Sequence, residues 1–253
     1  MSIQVDLQEW NAETLRLTLF TSAAVEVAGL SWWESVVGEP PEAHNLRPRE
    51  GRLEESGRIL DGRCNLTLQC EPQRIDWLLT PVIVADHELT EFPSFATLPE
   101  ALGLFRRLLV PWLVHALPSK RLAFGCVLTH PAEDRAEGYR WIANLLPAIT
   151  LDPEGSSDFN YTINRPRPTR TDINGLVINR LSRWSVAKLR SIHLQLPQGP
   201  KALLAPELFA CRLEGDINTA LEFSGDFSTK DSGPIVDELI ELGTEIARAG
   251  DLP

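Results

Sequence analysis

Residues Arg52–Val84 read RLEESGRILDGRCNLTLQCEPQRIDWLLTPVIV, and we expect the rest of the chain to be organised around this stretch. Apolar and polar residues alternate over residues 64–71. This pattern is typical of a half-buried β-strand because successive side chains point to opposite faces. Asp61 and Gly62 stand just before that part, and an Asp-Gly pair favours a tight hairpin turn because both residues must adopt positive φ. A second turn is predicted around Pro72. The stretch therefore predicts three consecutive antiparallel strands.

The two predicted turns give the same register, in which Glu55, Leu68 and Trp77 are neighbours on one apolar face. A carboxylic acid in that position would lose its hydration, which is typical of a general acid. The alternatives are a different register, or an edge strand that lets Glu55 reach water. Glu55 is thus the one residue of this stretch that hints at chemistry.

A strongly amphipathic helix is predicted to follow, over residues 97–115. Apolar residues recur there at helical spacing and form a continuous stripe. Thr97 and Glu100 match a capping box, in which each side chain bonds to a free backbone N–H at the start of the helix. Pro111 predicts a kink because it cannot donate the backbone hydrogen bond of its turn.

The rest of the chain gives weaker patterns. Residues 23–37 predict a helix, and the polar residues 39–51 predict a connecting loop. Residues 191–196 alternate as in a strand, and the Pro-Gln-Gly-Pro segment at 197–200 predicts a turn after it. A final helix is predicted over 234–249.

A polar connector, DPEGSSD at residues 152–158, divides the chain into two halves. The N-terminal half, 1–151, contains the strands of 52–84 and the helix 97–115. The C-terminal half, 152–253, contains a basic hairpin over 160–190 and the helix 234–249. We therefore predict an α+β fold in which helices pack on antiparallel sheets. The shared order of strands and then a helix raises the hypothesis of a duplicated β-β-β-α unit.

Composition favours a soluble globular protein, with 43% hydrophobic and 23% charged residues. The first residues lack the basic and apolar regions of a secretory signal, and no apolar run approaches the roughly 20 residues that a membrane helix needs. We expect a cytoplasmic protein that has no membrane partner.

Recognised catalytic and cofactor motifs are absent from the sequence. The four cysteines form no Cys-x-x-Cys pair, so we expect neither a metal nor a cofactor. An enzymatic alternative remains, a hydrolase-like enzyme with an acid at Glu55 or His130. Acidic residues follow His130, but they are equally typical of an ordinary helix start, where the helix dipole favours them.

Charge is distributed unevenly along the chain. Residues 159–206 contain eight Lys and Arg against one acid, so their net charge is +7. Since the net charge of the whole chain is −11, the other residues together carry −18. The Asn174-Gly175 turn would pair Ile173 with Leu176. In that register the side chains of Arg165, Arg167 and Arg180 share a face with Trp184. Arginines beside an aromatic ring can hold an anion or stack on a nucleobase. The candidate binding residues are Arg165, Arg167, Arg180, Arg183 and Trp184. The alternative is that this segment packs against the acidic ends of the same chain.

Three functional hypotheses follow. The first is a non-enzymatic interaction protein, a protein-binding subunit or an inhibitor of the immunity type, whose acidic surface favours a partner with a basic surface. The second is a nucleic-acid- or nucleotide-binding module that uses residues 165–190. The third is the hydrolase-like enzyme described above.

Overall fold

The structure is a computed structural model that describes residues 4–83, 89–195 and 201–251, with backbone alone at 191–195 and 201–205. These ranges form one antiparallel sheet with α-helices packed on it, so the predicted α+β class with antiparallel pairing is confirmed. The strands are β1 (Asn11–Thr21), β2 (Ala43–Arg47), β3 (Arg52–Ile59), β4 (Cys64–Glu71), β5 (Arg74–Pro81), β6 (Ala96–Thr97), β7 (Ser119–Ala132), β8 (Asn160–Asn164), β9 (Arg167–Pro168), β10 (Val177–Gln195) and β11 (Lys201–Thr219). The helices are α1 (Trp32–Val37), α2 (Leu98–Trp112), α3 (Arg135–Ala143) and α4 (Thr229–Ala249).

A single sheet contains strands from both predicted halves. Its order is β2-β3-β4-β5-β1-β7-β11-β10-β8, with β6 beside β1 and β9 beside β10. The first strand lies in the middle, between β5 and β7, and β7 then pairs with β11. The backbone hydrogen bonds of the sheet therefore cross the predicted boundary without a break.

The register predicted for the first hairpins is confirmed. Glu55 lies opposite Leu68, and Leu68 lies opposite Trp77. The predicted turn forms at Asp61 and Gly62, because both residues have a positive φ and the N–H of Arg63 donates to the carbonyl of Leu60 at 3.1 Å. Leu60 also has a positive φ. The last residue of the quoted stretch, Val84, lies outside the described residues.

The two faces of the sheet differ. One face, termed the helix face, carries the buried residues Leu17, Trp77, Phe124, Ile217 and Trp184. The four helices pack on it: Trp33 of α1 stacks on Trp77, Phe105 of α2 meets Phe124 edge-on, Gly138 of α3 lies against Val186, and Gly243 of α4 lies against Phe124. The other face is termed the open face, and none of the helices of the described ranges covers it.

Three local predictions were wrong at their boundaries. The helix expected over 23–37 is reduced to α1, because Gly29 adopts a φ of +76° and the N–H of Val25 instead bonds to the carbonyl of Pro72. The loop expected over 39–51 contains β2, which forms one edge of the sheet. The final helix begins five residues before Pro234, where Ser228 and Asp231 form a capping box.

The predicted capping box at Thr97 does not form. Thr97 makes no side-chain cap bond, and its hydroxyl is buried without a partner among the described residues. Its backbone belongs to β6 and pairs with Asn11, while the N–H of Leu98 donates to the carbonyl of Trp10. Tertiary pairing thus replaces the local cap at the start of α2.

Candidate interaction site

The predicted basic residues lie where the sheet meets the last helix. Arg165, Arg167, Arg180 and Trp184 share the helix face, as expected. The pairing differs from the expected hairpin, because it begins at Pro168 opposite Val177 and residues 169–176 form a loop. The expected turn is present within that loop, since the N–H of Leu176 donates to the carbonyl of Ile173 and Gly175 has a positive φ.

Arg165 holds the residue that follows the last helix. Its Nε and Nη2 donate to the two carboxylate oxygens of Asp251 at 2.7 and 2.9 Å, and the hydroxyl of Tyr161 donates to Oδ2 at 2.7 Å. The Arg165 hydrogen bond holds the pKa of the buried Asp251 below its ordinary value, although burial acts in the opposite direction. A paired, desolvated carboxylate of this kind fastens the end of α4 to the edge of the sheet.

Glu245 of α4 lies within 4 Å of three further arginines. Arg170 donates to its Oε1 at 2.7 Å, and Arg167 donates to its Oε2 at 3.3 Å. The Nη2 of Arg180 lies 3.9 Å from the same Oε2. Arg180 is only 3% exposed, and burial lowers its pKa, with repulsion from Arg167 as the next cause. These basic residues therefore pack against acids of the same chain, the alternative raised by the sequence.

The remaining two candidate residues are separated from this cluster. Trp184 is fully buried, and its Nε1–H donates to the hydroxyl of Ser182 at 3.1 Å. Arg183 projects from the open face, where its Nε donates to Asn160 at 3.2 Å and its Nη1 lies 3.9 Å from Glu214. The structure thus places Trp184 in the core and Arg183 on the opposite face from the three arginines.

Glu55 is buried on the helix face, so the alternatives of a different register or access to water are wrong. Its Oε1 lies 2.9 Å from Nδ1 of His44, and its Oε2 is buried without a partner in the described ranges. No sequence pattern pointed to His44, because strand β2 is short and its side chains are all exposed. The side chain of His44 is half exposed. Five cavities of the described ranges include neither Glu55 nor His44 in their lining.

His130 takes part in an aromatic cluster. Its ring stacks on Trp141 with centroids 4.1 Å apart, and its Nδ1 lies 3.0 Å from the carbonyl oxygen of Glu9. The acidic residues that follow it cap α3, where Asp134 accepts from the N–H of Glu137. His130 therefore packs against aromatic side chains, and the acids that follow it cap α3.

The longest hairpin, formed by β10 and β11, extends beyond the strands on either side of it. Strand β8 pairs with β10 only as far as Ser185, and β7 pairs with β11 only from Phe209. Residues 186–208 are termed the arm. Within the described ranges the arm pairs with no strand other than β10 and β11 themselves, and the pairs that lie wholly within it run from Leu189 opposite Leu208 to Gln195 opposite Lys201. Leu196 and the turn predicted at 197–200 lie outside the described residues.

The arm combines apolar and basic residues without a core of its own. Eight of its 23 residues are Val, Ile or Leu, and its charge is +2, from three Lys and Arg against Glu207. None of its described side chains, at 186–190 and 206–208, is buried. Glu207 accepts hydrogen bonds from both Lys188 and Arg190, so one carboxylate serves two cations.

Two cavities flank the base of the arm. One, of about 470 Å³, lies between the arm and α3 and is lined by Tyr139, Val186 and Lys188. The other, of about 280 Å³, is lined by Phe92, Thr129 and Leu208. Both also include Phe209, so the start of the arm is indented on either side.

The cysteines are four buried free thiols. Burial is the main cause that raises the pKa of each to about 12, and a protonated thiol is a poor nucleophile. The described ranges contain no group of three or more His, Cys, Asp or Glu side chains placed to hold a metal ion. The helices within those ranges are all too short or too polar to cross a membrane.

Comparison with known proteins gave no relative: the chain matches no family model, no curated protein and no solved structure.

Proposed function

We propose that the protein is a non-enzymatic protein-binding subunit and that the arm is its binding element. The observation that supports this proposal is the overhang of β10 and β11 beyond β8 and β7. A two-stranded ribbon alone is at best marginally stable in water, so further strands or packing are needed to hold it. A partner that pairs with the arm supplies both.

The arm's outer backbone groups favour recognition by strand addition. An unpaired strand edge presents a row of N–H and C=O groups, and an extended segment of another protein can hydrogen bond to that row. The side chains of alternate residues then select the segment. The described length of β10 from Val186 to Gln195 is ten residues, about 33 Å at the rise of an antiparallel strand.

Charge defines the chemistry of the partner segment. The arm is +2, whereas the remainder of the chain carries −11 minus 2, or −13. An extended partner segment with apolar and acidic residues complements the arm. The preference for a basic partner, expected from the acidic chain as a whole, applies to surfaces outside the arm, so a partner that touches both regions would carry charges of both signs.

Nucleic acid is the less favoured partner. Phosphate binding needs cations that are free to replace counterions. Arg165, Arg167 and Arg170 contact acids of α4 or its end, and Lys188 and Arg190 share Glu207. The enzymatic alternative has its motivation in Glu55, but the carboxylate is buried against His44.

The test is a matched shortening of two hairpins. Residues 189–208 are replaced by Asn-Gly, which joins the paired residues Lys188 and Phe209 and leaves every contact of β10 with β8 and of β11 with β7. As a control, residues 60–63 are replaced by Asn-Gly between the paired residues Ile59 and Cys64. Each tagged chain is then recovered from cells of the organism that encodes it, with and without nuclease.

The expected result is a set of proteins that co-purifies with the natural chain and with the control, resists nuclease, and is lost when the arm is shortened. Co-purification that is unchanged by shortening would overturn the role of the arm. Recovery of nucleic acid in place of protein would favour the alternative function. Light scattering of the purified natural chain shows whether the bound protein is a second copy.

A further inference from the structure

The open face of the sheet contains a depression that the arm does not touch. Its volume is about 400 Å³. Its lining comes from six strands that are neighbours in the sheet, in the order β5, β1, β7, β11, β10 and β8. This depression is termed the trough. One row of cross-strand neighbours runs through it, in the order Leu78, Arg16, Gly125, Asp216 and Leu181. The row is symmetric in character, with a glycine in the middle, a charge on each side and a leucine at each end.

Arg16 is a half-buried cation that lies across the glycine. A Cβ atom placed on Gly125 would come 3.5 Å from Nε and 3.7 Å from Nη2 of Arg16, so the guanidinium rests over the backbone of β7. Within the described ranges the side chain of Arg16 makes neither a hydrogen bond nor an ion pair. Its donors therefore remain available to a ligand.

Asp216 stands on the far side of the same glycine. Its Oδ1 accepts a hydrogen bond from Nδ2 of Asn218 at 3.0 Å, and no cation of the described residues forms an ion pair with it. Other charges of the open face do pair: Arg212 contacts Glu13 at 2.8 Å and Glu214 at 3.1 Å. Arg16 and Asp216 are thus an opposite pair that the fold holds apart.

The charges of the trough select against simple ions. A plain anion that approaches Arg16 meets Asp216 and Glu214, and a plain cation that approaches Asp216 meets Arg16 and Arg183. A molecule that carries one charge of each sign satisfies both sides. Apolar groups on that molecule would lie against the two leucines at the ends of the row.

We propose that the trough binds a zwitterionic amino acid or short peptide with apolar side chains. The carboxylate of the ligand accepts hydrogen bonds from Arg16, and its ammonium group donates to Asp216. Gly125 provides the floor, because the absence of a side chain leaves room for the ligand to cross from one charge to the other. Leu78 and Leu181 receive the apolar side chains.

The test is calorimetric titration of the full chain with the dipeptide leucyl-leucine and two blocked derivatives. The N-acetyl derivative lacks the ammonium group, and the amide lacks the carboxylate. The natural chain is expected to bind the dipeptide at least about tenfold more tightly than either derivative, since each blocked derivative leaves a charged group of the trough unpaired.

Three variants assign the contacts. Arg16→Gln is expected to abolish the preference over the amide while keeping the preference over the N-acetyl derivative. Asp216→Asn is expected to abolish the preference over the N-acetyl derivative while keeping the preference over the amide. Gly125→Ala is expected to weaken all three ligands several-fold without unfolding the chain, because the added methyl group makes only ordinary contacts with Arg16. The matched control is Arg58→Gln, which removes an exposed arginine from the same face at the edge of the sheet.

Three results would overturn the proposal. The first is the absence of dipeptide binding to the natural chain at millimolar concentration. The second is equal binding of the dipeptide and either blocked derivative, which would show that one charge alone is recognised. The third is an unchanged pattern of preference in Arg16→Gln and Asp216→Asn chains whose thermal unfolding matches that of the control.

Discussion

At one end of the sheet, strands β3, β4 and β5 have eight residues each, whereas at the other end β10 and β11 have 19 residues each and extend past their neighbours. In the first region every second residue of β4 is buried, and Trp77 of the neighbouring strand β5 contacts Trp33 and Trp112. In the second, none of the described side chains of the arm is buried. Under the proposed function, the chain completes the first end by itself and leaves the second end for a partner.

The helix face is also held differently at the two ends. Trp33, Trp77 and Trp112 cover the first region with apolar contacts. In the second region, Arg165 after β8 contacts Asp251, and arginines of β9 and β10 contact Glu245 of α4. Apolar packing at one end and ion pairs at the other predict different responses to mutation and to pH.

The largest loss of stability is expected from a substitution at the apolar end of the sheet, in strands β3 to β5. Leu68→Ala removes a fully buried side chain and is expected to lower the free energy of unfolding by about 2 to 5 kcal/mol. The matched change in the arm, Leu189→Ala, is expected to cost less than about 1 kcal/mol because Leu189 is only partly buried. Urea unfolding followed by circular dichroism measures both. Equal losses would contradict the view that the arm lies outside the core.

The ion-paired end should show the stronger dependence on pH. Asp251→Asn is expected to cost about 2 kcal/mol at pH 7, since it weakens charged hydrogen bonds from Arg165. The folded-state pKa of Asp251 is lowered, so its contribution is present above the unfolded value of about 3.9 and is lost as pH falls through the folded value. Unfolding curves between pH 7 and pH 2 should therefore converge for the natural and variant chains. A constant difference across that range would argue against the pairing.

The buried acid at the apolar end gives a smaller effect. His44→Ala leaves the carboxylate of Glu55 without its partner and is expected to cost about 1 to 2 kcal/mol, discounted because His44 is half exposed. Glu55→Leu removes the charge altogether and is expected to be neutral or stabilising. A large loss on Glu55→Leu would contradict this interpretation and revive a functional role for the carboxylate.

The smallest effect on stability is expected from shortening the arm. Replacement of residues 189–208 by Asn-Gly should change the free energy of unfolding by less than about 1 kcal/mol, because the described residues of that segment contribute no buried side chain. Thermal and urea unfolding of the shortened chain, with the shortened 60–63 turn as control, measure this change. A loss of several kcal/mol would place the arm within the folded core.

Local patterns predicted the fold where neighbours in sequence are also neighbours in space. The alternation at 64–70 and the turns beside it were enough to place Glu55 against Leu68 and Trp77. The single sheet was not predictable, because β1 pairs with strands about 60 and 110 residues away, and no local signal encodes that choice. Long-range pairing also removed the expected cap at Thr97.

The candidate site was predictable only in part. Charge counting found the basic segment, and the parity of the hairpin placed its arginines on the correct face. Their partners on α4 could not be derived, because the contact joins residues some 70 to 90 positions apart. The arm and the trough depend on where neighbouring strands end and on which residues align across six strands, and both are properties of the assembled sheet.

Hydrogen–deuterium exchange at the backbone amides of the arm tests whether the arm is the binding element of the chain. In the isolated chain, amides of residues 186–195 and 201–208 should exchange faster than those of β3 to β5, since the arm's strands have few stabilising neighbours. In the complex recovered from cells, the same arm amides should become protected while β3 to β5 are unchanged. Protection of the arm in the isolated chain, or arm exchange that is unaltered in the complex, would show that the arm is not the binding element.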